Sequence, residues 1–391
     1  MTGTVIVEAV RTPIGRFSGG LACVRADHLG AAVLRSLVAR SGIATGEIGD
    51  VVFGCVTQVG EQCANIGRTS LLGAGWPETI PGMTVDRKCG SSEAAIHVAV
   101  GEVTSGAFDV VVAGGAENMS RVRMGGNREL YGEAFGWGVT DRFPQISQGE
   151  AAERLADLYG FTRDDLDDYA TKSHRRAAQA ADAGYFDREI MPVDVGAWRE
   201  RGTEGEAGMA ARDETIRRDT SRAKLSGLKP AFRTDGKVTA GNSSQISDGA
   251  AALLVMTEEK ARMLGMRPRA RIRAIATVGS DPTLMLTGPV AATRRVLERA
   301  KLSLADIDLF EVNQAFAPVP LLWMREMGVS HRHLNVNGGA IALGHPLGAT
   351  GARIMTTLLH ELERCGARFG LQAVCCAGGL DTATIIERLA Y

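Results

Sequence analysis

The sequence lacks a charge excess, a long apolar run and a paired cysteine motif, and each absence excludes a class of protein. Lysine and arginine number 44 against 45 aspartate and glutamate, which gives a formal net charge of -1. Such a balance gives no electrostatic signal for binding nucleic acid or an anionic membrane. No uninterrupted apolar stretch of about 18 residues is present, so a transmembrane helix is not expected. Zinc is not expected either, because no Cys/His pair has ligand spacing.

Cysteine usage predicts a reduced cytoplasmic protein. The seven cysteines are an odd number, and none belongs to a C-x-x-C pair. The first residues lack a basic segment followed by an apolar one, so no secretory signal is expected. Disulfides are therefore not expected. Four cysteines stand in no distinctive frame and are predicted to be small core residues: Cys23, Cys55, Cys63 and Cys365.

Alternating helix-like and strand-like segments predict the fold class. The chain has 391 residues, 45% of them hydrophobic, enough for large cores in two or three domains. A helix followed by an apolar strand ends in Ala-Gly-Gly at 113–115 and again at 377–379. This repeated order predicts an α/β fold of two duplicated halves, with mixed, mostly parallel sheets covered by helices.

A polar and charged segment separates the two halves and predicts an insertion. The expected N-terminal half comprises residues 1–120 and is completed by about 246–268. Residues 121–245 form the predicted loop domain, with helices at 148–158 and 163–181. The C-terminal half is expected at 269–391. We expect the inserted segment to cover the active face.

Three short glycine-rich frames carry the most reactive side chains. Cys89 lies in RKCGSS, His345 in GHPLGATG and Cys375 in CCAGG. Glycines let the backbone approach a ligand closely and leave amide donors unhindered. Cys89 also precedes a helical pattern, and a helix N-terminus stabilises a thiolate. The three frames together predict a site assembled from distant loops, with one thiol as nucleophile and another group moving protons.

These frames resemble those of the thiolase family, and the likeness covers essentially the whole chain. Residues 337–351 (NGGAIALGHPLGATG) are close to a family signature. Residues 239–244 (TAGNSS), continued by SDGAA, are similar to its coenzyme A segment, and 311–317 (EVNQAFA) to its Asn-Glu-Ala-Phe motif. The resemblance implies two related α/β halves plus a loop domain, assembled as a homodimer or homotetramer.

The resemblance also implies a mechanism. His345 would take the proton of Cys89, whose thiolate attacks an acyl thioester to give an acyl-enzyme. Cys375 would move the other proton, to or from the α-carbon of acetyl-CoA. One oxyanion hole would consist of His345 and a water held by Asn313, and the other of the backbone amides of Cys89 and Ala377. The implied reaction is the reversible CoA-dependent cleavage of a 3-ketoacyl-CoA to acetyl-CoA and a shortened acyl-CoA.

Substrate contacts follow from the same resemblance. Ser244 aligns with a serine that contacts the pantetheine arm, and Arg217 with an arginine at the nucleotide end of coenzyme A. Ala240 and Lys224 are also expected beside coenzyme A. The acyl pocket is expected to include Gln148 and Phe316. The resemblance implies no metal and no permanently bound cofactor, since coenzyme A and acyl-CoA are substrates.

Several positions depart from the family pattern. Gln314 replaces the usual glutamate after the motif asparagine, and Ala377 replaces the first glycine of Cys-x-Gly-Gly-Gly. Gln148 stands where many members have methionine, and residues 92–93 (Ser-Glu) where a glycine and an apolar residue are frequent. These changes leave the catalytic set intact and leave the acyl substrate open.

Three alternatives remain open from the sequence. An acetoacetyl-CoA-specific biosynthetic thiolase would use the same residues on a substrate with a shorter acyl chain. A decarboxylating ketoacyl synthase shares the fold and a cysteine nucleophile, but Cys375 argues against it because such enzymes do not need a second cysteine. A non-catalytic acyl-CoA-binding protein on the same fold would be expected to lack Cys89, His345 or Cys375, and all three are present.

Overall fold

In the computed structural model, which describes residues 3–128, 132–203 and 208–390, ten strands form one sheet and two more form a small ribbon. The strands are β1 (Thr4–Arg11), β2 (Gly15–Arg16), β3 (Asp50–Gly54), β4 (Met83–Val85), β5 (Val110–Asn118), β6 (Val193–Asp194), β7 (Met209–Ala210), β8 (Ser247–Thr257), β9 (Ala270–Gly279), β10 (Leu309–Val312), β11 (Phe369–Val374) and β12 (Leu380–Arg388).

Helices connect and cover these strands. They are α1 (Ala26–Ser41), α2 (Ile66–Gly73), α3 (Ser91–Ser105), α4 (Trp137–Thr140), α5 (Gln148–Leu158), α6 (Arg163–Asp182), α7 (Val195–Trp198), α8 (Arg222–Ser226), α9 (Glu258–Met263), α10 (Gly288–Ala300), α11 (Pro318–Met327), α12 (Ala340–Leu343) and α13 (Thr350–Cys365). Both α3 and α13 end at a glycine with a left-handed backbone, Gly106 and Gly366, a frequent helix C-terminal signal.

The pairing pattern of the large sheet confirms the predicted duplication. Its strand order is β10-β11-β12-β9-β1-β8-β5-β3-β4. In the first half β1 pairs antiparallel with β8, β8 antiparallel with β5, and β5 parallel with β3. In the second half β9, β12, β11 and β10 repeat the same three pairings. The halves join where β1 and β9 pair antiparallel.

The expectation of mostly parallel pairing was wrong. Of the nine strand pairings that the described residues make in this sheet, three are parallel. The difference arises because a long antiparallel strand is placed beside the central strand of each half, β8 beside β5 and β12 beside β11. β12 follows β11 after only residues 375–379, a connection too short for a parallel crossover.

The two helices that follow the reactive frames pack against each other in the interior. Ile96 and Val100 of α3 and Met355 and Leu359 of α13 are buried in one core with strands of both halves. α1 covers the opposite face of the first half, and α10 that of the second. The N-termini of α3 and α13 are thereby brought close together.

The segment between β5 and β8 contributes no strand to the large sheet among its described residues. It carries α4 to α8 and the β6–β7 ribbon. Ser147 caps α5 by accepting from the Glu150 N–H, and Thr162 and Asp165 form a capping box on α6. α5 and α6 begin at the predicted residues.

The described residues were compared with the expectations for membrane helices, metal sites and core cysteines. None of their helices is long and apolar enough to cross a membrane. No group of three His, Cys, Asp or Glu side chains in the described ranges is arranged to hold a metal ion. Cys55 is buried as predicted for a core residue, whereas Cys63 and Cys365 are exposed, so the prediction was wrong for those two.

Candidate active site

A tight turn places Cys89 immediately before α3. Lys88 has a left-handed backbone with φ of 51°, and its N–H donates to Oδ1 of Asp86 at 2.8 Å. Oγ of Ser91 accepts from the N–H of Arg87 at 2.9 Å and donates to the carbonyl of Lys88 at 2.6 Å. The turn therefore presents the thiol at the positive end of a 15-residue helix.

Burial controls the protonation of the Cys89 thiol. Cys89 is 3% exposed, and this burial raises the pKa of its thiol to about 11. The Gln148 side chain and the backbone N–H groups of Ala377 and Cys89 act in the opposite direction. The predicted donors are present, but burial outweighs them, so the thiol is protonated at neutral pH. Attack by this sulfur requires a neighbouring base.

His345 is held as a neutral base. Its Nδ1 lies 2.6 Å from Oγ1 of Thr350, whose own hydroxyl donates to the carbonyl of Pro346 at 2.9 Å. Because that hydroxyl proton is already engaged, Oγ1 accepts from Nδ1–H, and Nε2 keeps its lone pair. Burial lowers the pKa of His345 to about 3, so the ring stays uncharged at neutral pH. The N–H of His345 donates to Oγ of Ser247 at 2.7 Å, which fixes the loop.

Asn313 stands beside His345 at the end of β10. Its Nδ2 lies 3.5 Å from Nε2 of His345. Its N–H donates to the carbonyl of Ala373 at 3.0 Å, which ties it to β11. Oδ1 of Asn313 is buried and has no hydrogen-bond partner among the described residues. Such an acceptor is suited to hold a water beside the imidazole.

Cys375 follows β11 and lies close enough to Cys89 for the two thiols to interact electrostatically. Cys375 is 1% exposed, and burial, with further contributions from Cys89 and Asp381, raises the pKa of its thiol well above the ordinary value. The backbone N–H of Ala315 hydrogen-bonds this sulfur. A neutral Cys375 thiol is therefore available to donate a proton next to Cys89.

Gln314, the departure next to Asn313, does not reach the reactive groups. Its Oε1 accepts from Oγ of Ser173 at 2.7 Å and from the N–H of Ile341 at 3.3 Å, and its Nε2 donates to the hydroxyl of Tyr169 at 3.1 Å. A neutral amide supplies both the donor and the acceptor that this position uses. Gln314 thus ties α6 of the insertion to the segment before His345.

Sequence reasoning missed a buried carboxylate that braces the site. Glu117 is the last residue but one of β5, and its oxygens accept from the N–H groups of Val56 and Thr57 at 2.8 and 3.0 Å. It also accepts from the N–H of Gly348 at 2.9 Å, which joins the loop after β3 to the histidine frame. An acidic residue directly after the apolar and glycine residues 110–116 of a buried strand was the signal that could have revealed it.

A cavity of about 700 Å³ opens beside Cys89, and Gln148 lines it. Gly378 also lines it, as does Ala377, whose backbone N–H hydrogen-bonds the Cys89 sulfur. The apolar lining residues are Val56, Met124, Phe135, Val139, Ile146, Met285, Leu347 and Leu380. Phe316 is not among the described residues that line this cavity. It packs instead against Phe232, with the ring centroids 5.9 Å apart.

A second cavity, of about 190 Å³, brings together three of the residues expected at coenzyme A. Arg217, Lys224 and Ala240 all line it, together with His174 and Leu228. Lys224 forms an exposed ion pair with Asp219 there.

The fourth expected coenzyme A residue, Ser244, lies elsewhere, towards the thiols. Its N–H donates to the carbonyl of Ala315 at 2.9 Å, and the N–H of Ala315 reaches Cys375. Ser244 is not among the described residues lining the smaller cavity. The expected contacts therefore divide between the smaller cavity and a position near the reactive sulfurs.

Comparison with known families covers nearly all of this chain. The family described as "Thiolase, N-terminal domain" matches residues 4–259, and "Thiolase, C-terminal domain" matches residues 266–388. The chain belongs to the thiolase family. This thiolase is an acyltransferase of acyl-CoA metabolism.

Similar proteins match the thiolase at full length. It is 43% identical to the steroid 3-ketoacyl-CoA thiolase FadA6 of Mycobacterium tuberculosis, over 100% of this chain and 95% of that protein. It is 42% identical to the 3-ketoacyl-CoA thiolase of Bacillus subtilis, over 99% of this chain and 100% of that protein. The crystal structure of the Bacillus anthracis acetyl-CoA acetyltransferase superposes with a TM-score of 0.91, at 41% identity, covering 100% of this chain and 99% of that one.

Proposed function

We propose that this thiolase is degradative and cleaves 3-ketoacyl-CoA substrates whose acyl group is larger than that of acetoacetyl-CoA. The observation that carries the proposal is the cavity of about 700 Å³ beside Cys89. Its volume lies within the roughly 300–1,000 Å³ typical of small-molecule sites, and an acetyl group would leave most of it empty. The largely apolar lining suits a hydrocarbon chain or a ring system.

The first half of the proposed reaction cleaves the carbon–carbon bond. Nε2 of His345 takes the proton of the Cys89 thiol as its sulfur attacks the 3-keto carbonyl. The bond between C2 and C3 then breaks, which leaves the acyl group on Cys89 and releases the enolate of acetyl-CoA. Cys375 gives its proton to C2 of this enolate and becomes a thiolate. The neutral His345 and protonated Cys375 of the structure are the states that these steps require.

The second half of the proposed reaction returns both groups to their starting states. The Cys375 thiolate takes the thiol proton of an incoming coenzyme A, whose sulfur attacks the acyl-enzyme. The bond between the acyl carbon and Cys89 breaks, and the imidazolium of His345 returns its proton to the Cys89 sulfur. The shortened acyl-CoA leaves, and no metal or redox cofactor is used. Coenzyme A and acyl-CoA take part only as substrates.

Two sets of donors would stabilise the developing oxyanions. The backbone N–H groups of Cys89 and Ala377 both interact with the Cys89 sulfur, which supports one hole at this position. Nε2 of His345, once protonated, and a water held by Oδ1 of Asn313 would form the other. Removing one such donor costs about 3–4 kcal/mol of transition-state stabilisation in other enzymes.

Coenzyme A would enter past the smaller cavity. Arg217 would supply positive charge there for its phosphates, Lys224 would do so on leaving its ion pair with Asp219, and Ala240 is part of the wall. Ser244 and Phe316 would then contact the pantetheine arm, so Phe316 is reassigned from the acyl pocket to the coenzyme A path. This role is supported by an isolated β-bridge between the backbones of Phe316 and Ser243, which places Phe316 beside Ser244. The Phe316 ring packs against Phe232.

Location and assembly are part of the proposal. The cysteines, all seven of which lie within the described residues, are free, which supports a reducing cytoplasmic location. β4 is the terminal strand of the sheet path and leads directly to the Cys89 turn. An open strand edge is a frequent pairing surface, which supports a homodimer or homotetramer. Light scattering of the purified chain would test this, and a monomer would refute it.

The substrate proposal is tested by CoA-dependent cleavage of a 3-ketoacyl-CoA series, from acetoacetyl-CoA to long-chain and ring-bearing members. We expect the larger substrates to have the higher kcat/KM. Val139→Trp, which fills part of the cavity, should lower kcat/KM for large substrates and spare acetoacetyl-CoA. Met263→Trp, on the exposed surface of α9, is the matched control.

Two outcomes would overturn the substrate proposal. Activity confined to acetoacetyl-CoA would indicate a biosynthetic acetyl-CoA acetyltransferase. Binding of acyl-CoA without turnover of any substrate would indicate a non-catalytic protein on this fold.

A further inference from the structure

A carboxyl group is fully buried beneath the nucleophile. Glu93 is the third residue of α3, four positions after Cys89, and its relative exposure is 0%. It occupies one of the positions that depart from the family pattern. A buried carboxyl group is costly unless its oxygens are hydrogen-bonded, so its partners indicate what holds it in place.

The partners of Glu93 come from the other half of the molecule. Oγ1 of Thr382 donates to Oε2 at 2.6 Å, and Oγ1 of Thr384 donates to Oε1 at 2.7 Å. Both threonines lie on β12, which begins five residues after Cys375. Nε2 of His97, one turn further along α3, contacts Oγ1 of Thr384 at 2.9 Å. Glu93 thus bonds the helix behind Cys89 to the strand that follows Cys375.

The segment that carries His345 also contacts α3 and the strand that precedes Cys375. The N–H of Ala352, in the first turn of α13, donates to Oγ of Ser92 at 2.9 Å. Nε2 of Gln372, three residues before Cys375, donates to the carbonyl of Gly351 at 3.0 Å. A Cβ at Gly351 would lie 2.3 Å from the backbone N of Glu93, so the two helix N-termini are in direct contact.

These contacts join the elements that carry all three reactive side chains. Cys89 belongs to the first half of the sheet, whereas Cys375 and His345 belong to the second. The distance between the two sulfurs therefore depends on how the halves are held together. Errors of about 1 Å in such distances cost on the order of 10²-fold in rate.

We infer that Glu93 is a positioning residue that fixes the Cys89 sulfur relative to Cys375 by bonding α3 to Thr382 and Thr384. The inference rests on the proposed roles of the two thiols. Exchange of acetyl groups between acetyl-CoA and labelled coenzyme A forms no enolate, so Cys375 keeps its proton and neutral His345 alone moves the proton between the Cys89 and coenzyme A sulfurs. Carbon–carbon cleavage also needs the proton of Cys375. A shift between the halves should therefore impair cleavage more than exchange.

The test measures both rates in Glu93→Leu, Glu93→Gln and Thr384→Val. For Glu93→Leu we expect kcat for cleavage to fall by about 10²-fold, with little change in KM and a clearly smaller loss of exchange. Glu93→Gln keeps a hydrogen-bonding side chain of the same length and should recover most of the cleavage rate. Thr384→Val should change the ratio of the two rates in the same direction as Glu93→Leu.

Two reference variants make the outcome decisive. Thr293→Val removes a buried hydroxyl that Nε1 of Trp323 bonds at 2.9 Å, away from the reactive groups, and should lower Tm without changing the ratio. Cys375→Ser should lose far more cleavage than exchange.

An unchanged ratio in Glu93→Leu, beside the expected loss in Cys375→Ser, would overturn the inference alone. If Glu93→Leu does not fold, the ratio in Thr384→Val and Glu93→Gln decides in the same way. Equal losses of cleavage and exchange in Cys375→Ser would refute the proposed role of that thiol and the inference with it.

Discussion

Nδ2 of Asn313 lies 3.5 Å from Nε2 of His345, although the two residues reach this point from different elements. Asn313 follows the last residue of β10, and His345 lies in the loop between α12 and α13. Oδ1 of Asn313 is buried and has no hydrogen-bond partner among the described residues. In the proposed mechanism, Nε2 takes the proton of Cys89 and Oδ1 holds a water of the oxyanion hole.

Asn313→Ala should lower kcat by about 10²–10³-fold with little change in KM. The substitution removes the acceptor that would hold a water in the oxyanion hole, and this water contributes mainly in the transition state. Steady-state cleavage of a 3-ketoacyl-CoA, with circular dichroism to establish folding, provides the measurement. A folded variant with normal kcat would remove Asn313 from the mechanism.

Thr350→Val should lower kcat by about 10²-fold, because Oγ1 of Thr350 selects the tautomer that leaves Nε2 of His345 unprotonated. Thr350→Ser keeps the hydroxyl and is the matched control, for which near-normal kcat is expected. Both variants can be compared in the cleavage assay and in acetyl exchange. Equal activities for valine and serine at this position would contradict the tautomer assignment.

Inactivation by iodoacetamide should accelerate about tenfold per pH unit from pH 7 to 9, because only the thiolate reacts. Burial raises the pKa of Cys89 to about 11, so the thiolate fraction is still rising throughout this range. Loss of activity, with peptide mapping of the Cys89 adduct, separates this reaction from labelling of exposed Cys63 and Cys365. A plateau below pH 8 would mean that the thiolate is already formed in the resting enzyme.

Glu93→Gln should reduce the loss of stability that we expect for the wild type as pH rises from about 5 to 8. Burial raises the pKa of Glu93 from 4.5 to about 7. Its stabilising contribution is therefore fully present below about pH 4.5 and is lost as pH rises through about 7. Urea unfolding at several pH values should show that the free energy of unfolding of the variant rises relative to that of the wild type as pH increases. Parallel pH curves for the two proteins would contradict the assigned pKa.

The reactive residues could be predicted from the sequence because their frames are local. Each of Cys89, His345 and Cys375 lies among glycines and small residues that must form a turn, and the order of strands and helices repeats around them. The duplicated architecture and the proximity of Cys89 to Cys375 follow from that repetition. Local patterns of this kind are read along the chain without knowledge of distant contacts.

The features that the sequence did not reveal depend on distant contacts. The direction of β8 is set by the return of the long inserted segment, and that of β12 by its short connection from β11, so the pairing was mispredicted as mostly parallel. Thr350 selects the tautomer of His345, and Gln314 bonds to α6, through contacts that only the folded chain brings together. The raised pKa of the Cys89 thiol is likewise a property of the assembled core, because burial there outweighs the hydrogen-bond donors at the helix N-terminus.

The acyl-enzyme on Cys89 is the central claim, and mass spectrometry of the Cys375→Ser variant tests it most directly. The variant would be incubated with a long-chain acyl-CoA without free coenzyme A, quenched in acid and digested. The account predicts one acyl group on the peptide that contains Cys89, and none on that peptide in a Cys89→Ser variant. An acyl group on Cys376 with Cys89 unmodified, or full turnover by Cys89→Ser, would contradict it.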